Sequence, residues 1–283
     1  GNFNTAVGSQ ALLTDADGAN NTAIGYQALY NSTGVNDITA IGYQALYTVT
    51  ASASLTAIGY NAMLSSTGIL DVAVGAGAMS GNTAGRNTAI GYNALAGTSG
   101  INSTAVGYNA LTANTGAQNT AVGSNALLAN TSGTPNTAVG YNALSSNVSS
   151  ANNTAVGSYA LASVVGAAGV GGNTAVGDQA GYAGTAITTG IQDTFIGYNA
   201  QSNANNLNNA TAVGYSTIVY ASNTVQLGNA NVTDVEFGGA NCVANNGCGV
   251  GATASVSGVA GSPVVHAAAF NATSDRRMKN NIK

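Results

Sequence analysis

The hydrophobic and polar positions of this chain keep returning to one short phrase, clearest as Asn21-Thr22-Ala23-Ile24-Gly25-Tyr26-Gln27-Ala28-Leu29. Thirteen near-copies occur, with their shared glycine at Gly8, Gly25, Gly42, Gly59, Gly75, Gly91, Gly107, Gly123, Gly140, Gly157, Gly177, Gly197 and Gly214. The steps between them are 17, 17, 17, 16, 16, 16, 16, 17, 17, 20, 20 and 17 residues. Self-similarity at a nearly constant short period marks a solenoid, in which each copy is one turn stacked on the last.

Within the phrase the residue types are tightly held. Three before the Gly is Thr in twelve copies, with Val72 the exception; two before is Ala except at Phe195; one before is always Val or Ile. Three after is Ala except at Thr217, and four after is Leu or Met in ten copies. A short run rich in Thr, Val and Ile, bounded by Asn and Gly, predicts a strand. Side chains alternate across a strand, so Thr and Val/Ile share one face while Ala and Gly share the other. Neither face carries charge, which predicts burial of both. The expected arrangement has Val/Ile and Leu filling the solenoid's interior, with the Ala/Gly face admitting the backbone of a second copy.

The Gly permits a sharp bend. Stretches such as Asn31-Ser32-Thr33-Gly34, Asn114-Thr115-Gly116 and Asn130-Thr131-Ser132-Gly133 have turn chemistry. Steps of 20 residues at Gly177 and Gly197 predict bulging loops there. Stacked at about 4.8 Å per turn, the copies make a rod on the order of 60 Å long. Tyr follows the Gly in eight copies, as Tyr26, Tyr43, Tyr60, Tyr92, Tyr108, Tyr141, Tyr198 and Tyr215. Asn or Gln comes next in ten copies, and such amides can hydrogen-bond to one another turn by turn. Both rows have a structural reading; the tyrosines also form a candidate binding stripe, with sugars as ligands.

Composition sharpens this picture. Charged residues make up 5% of the 283-residue chain, against about 25% in ordinary soluble domains, while 45% is hydrophobic. A disordered chain has the opposite balance, and a lone monomer so poor in charge is weakly protected against association. The expectation is an ordered protein whose surface is partly covered by further copies of itself. Net charge is −4, and four of the five basic residues (Arg276, Arg277, Lys279, Lys283) lie at the extreme end. The body therefore offers no basic face to nucleic acid. No apolar run approaches the ~20 residues of a membrane span, so membrane insertion is not expected. The chain begins inside a repeat and without Met, which suggests a piece of a longer protein.

With its Asn-Thr-Ala-Ile-Gly core at this period, the chain resembles the head repeats of trimeric autotransporter adhesins and the shafts of related phage tail fibres. The resemblance covers roughly residues 1–230. It implies an all-β fold: left-handed parallel β-rolls with 16–17-residue turns, assembled as a homotrimer. It further implies a structural role in attachment to a host-surface receptor, a glycan among the candidates, in a virion or at an extracellular or cell-surface location. Asn223-Thr224-Val225-Gln226-Leu227-Gly228 reads as a degenerate fourteenth turn. From Val232 to Gly239 the sequence leaves the period, which predicts the end of the rod and an intertwined neck within a Gly/Ala-rich segment over 231–273.

Ser274-Asp275-Arg276-Arg277-Met278-Lys279-Asn280-Asn281-Ile282 is similar to the opening of the intramolecular-chaperone autoprotease that ends many phage fibres. That resemblance implies a C-terminal domain starting at 274, Ser274 as nucleophile, Lys279 as the assisting cation, and a cut between Ser274 and Asp275. A hydroxyl nucleophile needs such help. Apart from this single-turnover step no enzyme activity is expected. Cys242 and Cys248 are candidates for a small disulfide loop or for free thiols. As metal ligands they lack companions, His266 being the sole histidine, so neither metal nor cofactor is expected.

Two further functions can be set against the residues. An ice-binding solenoid wants an exposed, regular Thr array, whereas here Thr shares its face with Val/Ile and the uneven steps are expected to break the grid. A glycosidase needs paired carboxylates, and nine acidic residues leave only Asp178 and Asp193, beside the enlarged turns, as candidates.

Overall fold

The computed structural model describes residues 1–232 except 15–16, 51–53, 98–99, 113, 166–170 and 183–189. Almost the whole of the neck and Gly/Ala-rich segment, together with Cys242, Cys248, His266, Ser274 and Lys279, lies outside the described residues. What is described is an all-β parallel solenoid without a helix.

Every Thr-Ala-Val/Ile triplet is a three-residue strand, from Thr5–Val7 to Thr211–Val213, and Val225–Leu227 of the degenerate turn adds the last. Together they form one 14-stranded parallel sheet in which each strand pairs with the equivalent strand of the next turn. The register is copy on copy: Thr22 lies beside Thr39, Thr88 beside Thr104, and Thr154 beside Thr174. Steps of 16, 17 and 20 residues thus give the same alignment, because the extra residues fall between strands. The expected breaking of the Thr grid does not occur.

The two faces of the strand are the reverse of the expectation. Ala23, Ala28 and Leu29 are fully buried, whereas Ile24, Val122 and Ile196 are 37%, 37% and 43% exposed. The Thr residues are half-buried on the same outward side. The interior is therefore lined by the Ala before the Gly, the Ala after it, and the Leu or Met at the fourth position. The reason is cross-section. Leu or Met enters from the adjoining side of each turn, and only a methyl group fits opposite it. Burying each Leu or Met contributes about 1.5–3 kcal/mol relative to leaving it in water. The Ala/Gly face is consequently not free to receive a second chain.

One turn departs from this rule and shows why it holds. Phe195 replaces Ala and is fully buried, in consecutive turns where Gly181 and Gln201 replace the usual Leu. A Cβ on Gly181 would lie 2.5 Å from Leu161 Cδ2 and 2.9 Å from Phe195 Cδ2. The ring occupies the volume that the missing Leu side chains leave, as close packing requires.

The corner after each strand explains the invariant Gly. Its φ runs from 123° to 142°, outside the range of L-residues, and a Cβ on Gly25 would fall 2.4 Å from the Gly42 oxygen. Beyond it the backbone alternates, with Gln27 and Leu29 both at φ 52°. Such left-handed residues cost roughly 1–2 kcal/mol each. They persist because alternation aims successive N–H groups along the axis in opposite directions: Gln27 N–H donates to Ser9 O (3.1 Å) and Leu29 N–H to Ala45 O (3.0 Å). At the far corner, Asn31–Ser32 is not a turn but pairs with Thr48–Val49 and then Ser65–Ser66 in a small second sheet.

Candidate functional site

The corner that follows the 14-stranded sheet presents the tyrosine row. Tyr26, Tyr43 and Tyr60 stack with ring centroids 5.3 and 5.1 Å apart; Tyr92 stacks on Tyr108 at 5.3 Å and Tyr198 on Tyr215 at 5.4 Å. Parallel pairing sets this spacing, since identical residues in register stand one strand apart. Tyr141 instead meets Tyr159 edge-on at 5.3 Å, and Tyr159 meets Tyr182 at 5.7 Å. All eight sequence-predicted tyrosines are exposed, but the row is broken, at Ala76, at Ser124, and across Ser158 and Asp178. A shorter row that the sequence reading did not single out runs beside the first, Tyr30 on Tyr47 at 4.9 Å.

The amide row next to it forms as expected at its start. Gln27 Nε2 donates to Gln10 Oε1 and Gln44 Nε2 to Gln27 Oε1, each at 2.7 Å. At Asn61 the pattern stops: its Oδ1 is buried and has no hydrogen-bond partner. The residue one turn on is Gly77, which has no side chain to donate.

Two other amide rows lie inside the solenoid, at Asn positions expected to be strand boundaries or turn residues. At the position four before the Gly, Asn119, Asn136, Asn153 and Asn173 are buried. Each Oδ1 accepts from the backbone N–H of the same position one turn on, at 2.9, 3.0, 3.1 and 2.9 Å. Their Nδ2 groups close the far corner, as Asn136 does on Ser150 O (2.9 Å). A second row joins Asn114, Asn130 and Asn147 through Nδ2 to Oδ1 bonds of 2.7 and 2.9 Å. The signal was present in the sequence as the Asn that opens the phrase. Apart from Asn147 Oδ1, where the second row ends without a partner, these buried amides are satisfied, and such amides specify one alignment of turns.

The carboxylate pair considered for hydrolysis is not brought together on a common surface. Asp178 occupies the exposed tyrosine position, while Asp193 is buried in the interior Asn row, where its Oδ1 accepts from Ala210 N–H at 2.8 Å. Burial pushes the Asp193 carboxyl up from 3.8 to about 6, against the lowering effect of that hydrogen bond. Asp71 is placed likewise: burial raises it to about 6, opposed by bonds from Asn87 N–H (2.8 Å) and Asn82 Nδ2 (2.9 Å). Among the described residues no three His, Cys, Asp or Glu side chains gather as metal ligands would, and no helix is long and apolar enough to cross a membrane.

The remaining surface of note is the outward face of the large sheet. It carries one file of Thr and one of Val or Ile through thirteen turns, interrupted in the Thr file by Val72, with no charged side chain in either. These features define a parallel β-solenoid repeat protein with an apolar outer ridge and an aromatic corner. No protein-family model matches the chain, and no curated protein matches it.

Proposed function

We propose that this chain is the shaft of a homotrimeric attachment fibre, three left-handed parallel β-rolls side by side, with a phage tail fibre as the first assignment. A bacterial surface adhesin is the same physics on another carrier. The observation that carries the reading is the outward Val/Ile file beside Thr. Ile90, Val156, Val176 and Ile196 are 42%, 38%, 41% and 43% exposed, and the file runs the length of the sheet. A continuous apolar strip of this kind is rarely left to water, and a second and third copy of the same strip would cover it. The packing face is thus Thr/Val/Ile, not the Ala/Gly face expected from the sequence. Stacked turns with continuous hydrogen-bond ladders give the stiffness that a fibre at a virion or cell surface needs, while the tyrosine corner faces outward toward a receptor. Self-cleavage between Ser274 and Asp275 rests on the tail motif alone.

Native and denaturing mass spectrometry of the full-length gene product tests this. A trimer whose subunits end at Ser274 supports fibre and self-cleavage together. A trimer with the tail attached keeps the fibre and removes the cleavage, and a monomer overturns the fibre. Ile90→Glu is expected to turn trimers into folded monomers.

One observation favours a second reading. The Thr file keeps its register through every step length and faces outward, as an ice-binding array would. Thermal hysteresis from a monomeric chain would establish it; its absence, with a trimer, would exclude it.

A further inference from the structure

We propose that the break in the tyrosine row at Ala76 is a subsite for one gluco-configured pyranose ring of a glycan, held between Tyr60 and Tyr92. The proposal supplies a receptor chemistry for the attachment reading and depends on that reading for its biological role.

Where adjacent turns both carry Tyr, each ring covers its neighbour's face. At Ala76 one ring is missing, so Tyr60 and Tyr92, 58% and 51% exposed, stack only on Tyr43 and Tyr108 and turn their other faces toward the gap. Two inter-strand spacings separate the flanking tyrosines, about 10 Å. A six-membered ring midway sits about 5 Å from each, a normal stacking distance. The backbone at the break is Gly75-Ala76-Gly77, so nothing larger than a methyl group stands in the gap.

Polar groups select a sugar over an aromatic ring. Asn61 Oδ1 is a buried acceptor without a partner, at the point where Gly77 breaks the amide row. Leaving such an acceptor unmet is costly, and a ligand hydroxyl can donate to it whereas a hydrocarbon ring cannot. The Asn93 amide lies over Gly77, where a Cβ would fall 2.3 Å from its Oδ1, so a second amide borders the same point. The phenol hydroxyls of Tyr60 and Tyr92 supply further donors and acceptors. Stacking on both sides requires C–H groups on both faces of the sugar. A β-glucoside, with every substituent equatorial, meets this; a galactoside places an axial hydroxyl against one ring.

The break at Ser124 provides an internal contrast. There Tyr108 and Tyr141 flank the gap with similar exposure, but Asn125 continues the amide row, and neither it nor Asn109 carries a buried oxygen without a partner. The orphan acceptor is what sets the Ala76 gap apart.

The experiment titrates the chain with a β-1,4-linked glucose hexamer, with methyl β-glucoside and with methyl β-galactoside, following tyrosine ring resonances by NMR. Ala76→Tyr plugs the gap with the residue that eight other turns carry at this position. Saturable binding of the hexamer is expected, weakened by at least about tenfold in Ala76→Tyr and in Tyr92→Ala. Ser124→Tyr should stay within about twofold, and the galactoside should not bind. Absence of saturable binding by the unaltered chain overturns the proposal. So does an Ala76→Tyr variant that binds as the unaltered chain does, or a galactoside that binds equally. Should Ala76→Tyr not fold, Tyr60→Ala and Tyr92→Ala, which truncate exposed side chains, decide the matter. The oligomeric state of the same sample separates the two readings: a trimer that ignores the glucan sinks the subsite alone, and a monomer that binds it sinks the fibre alone.

Discussion

The turns near the start of the chain and those in its middle build the same backbone with different interiors. At the position four before the Gly, the third and fourth copies carry Ile38 and Leu55, both buried, and their far corner is the small sheet through Thr48–Val49. From Asn119 to Asn173 the same position is a buried amide bonded to the turn above, and the far corner is a turn held by Asn114, Asn130 and Asn147. The apolar solution satisfies the corner's backbone by strand pairing, with Asn21 of the preceding turn accepting from Ile38 N–H at 3.1 Å. The amide solution keeps backbone bonds between corners without strands, such as Thr131 N–H to Val148 O (2.9 Å), and adds side-chain bonds from inside. A turn of this solenoid thus tolerates either chemistry, provided that each buried backbone group finds a partner.

The largest effect should come from converting one solution into the other at a single site. Asn136→Leu removes the acceptor shared by Asn153 N–H and Asn153 Nδ2, while Ser150 O keeps its bond from Asn147 Nδ2. Two buried groups left unpaired cost on the order of 3–5 kcal/mol in all. In the apolar turns the equivalent conservative change, Leu55→Met, should cost less than about 1.5 kcal/mol. Chemical denaturation of both variants checks this, and equal losses would refute the distinction.

Of similar size is Phe195→Ala, which opens a cavity and should cost about 3–5 kcal/mol. Adding Gly181→Leu should recover part of that loss, because position 181 already has the left-handed φ of +65° that Leu adopts elsewhere. No recovery in the double variant would show that the ring and the glycine are not compensating partners.

The smallest effect probes the one charged member of the middle row's extension. Asp193 titrates near 6 when folded and at 3.8 ordinarily, because burial disfavours its charge. The folded chain then holds this proton more tightly than the unfolded chain, so stability falls as pH rises from about 4 to 6 and stays reduced above that. Asp193→Asn keeps the acceptor for Ala210 N–H without the charge. It should raise the melting temperature at pH 7, leave it nearly unchanged at pH 3.5, and weaken the pH dependence, with Asp71 supplying the part that remains. Melting curves across that range would contradict the account if the variant were less stable at neutral pH.

Much of the candidate surface could be read in advance: the eight tyrosines fall on one corner because they hold one place in the phrase. Their breaks were visible too, as Ala76 and Ser124, but not that Tyr60 and Tyr92 would keep free faces across one of them. The buried amides are not legible as such in the sequence, because Asn is common in turns as well as in satisfied interiors. Only its hydrogen-bond partners, one turn away, tell the two apart.

By itself the sequence determined the period, the strand triplets, the Gly corner and the register of turn on turn. Each of these follows from local backbone preference and repetition. Only the tertiary structure decided which strand face is inside. Alternation defines two faces but not their direction, and both faces here are free of charge. The choice is made by cross-section: with Leu or Met entering from the next side, the space opposite holds a methyl group and not an isopropyl group. That single constraint buries Ala and turns Thr, Val and Ile outward.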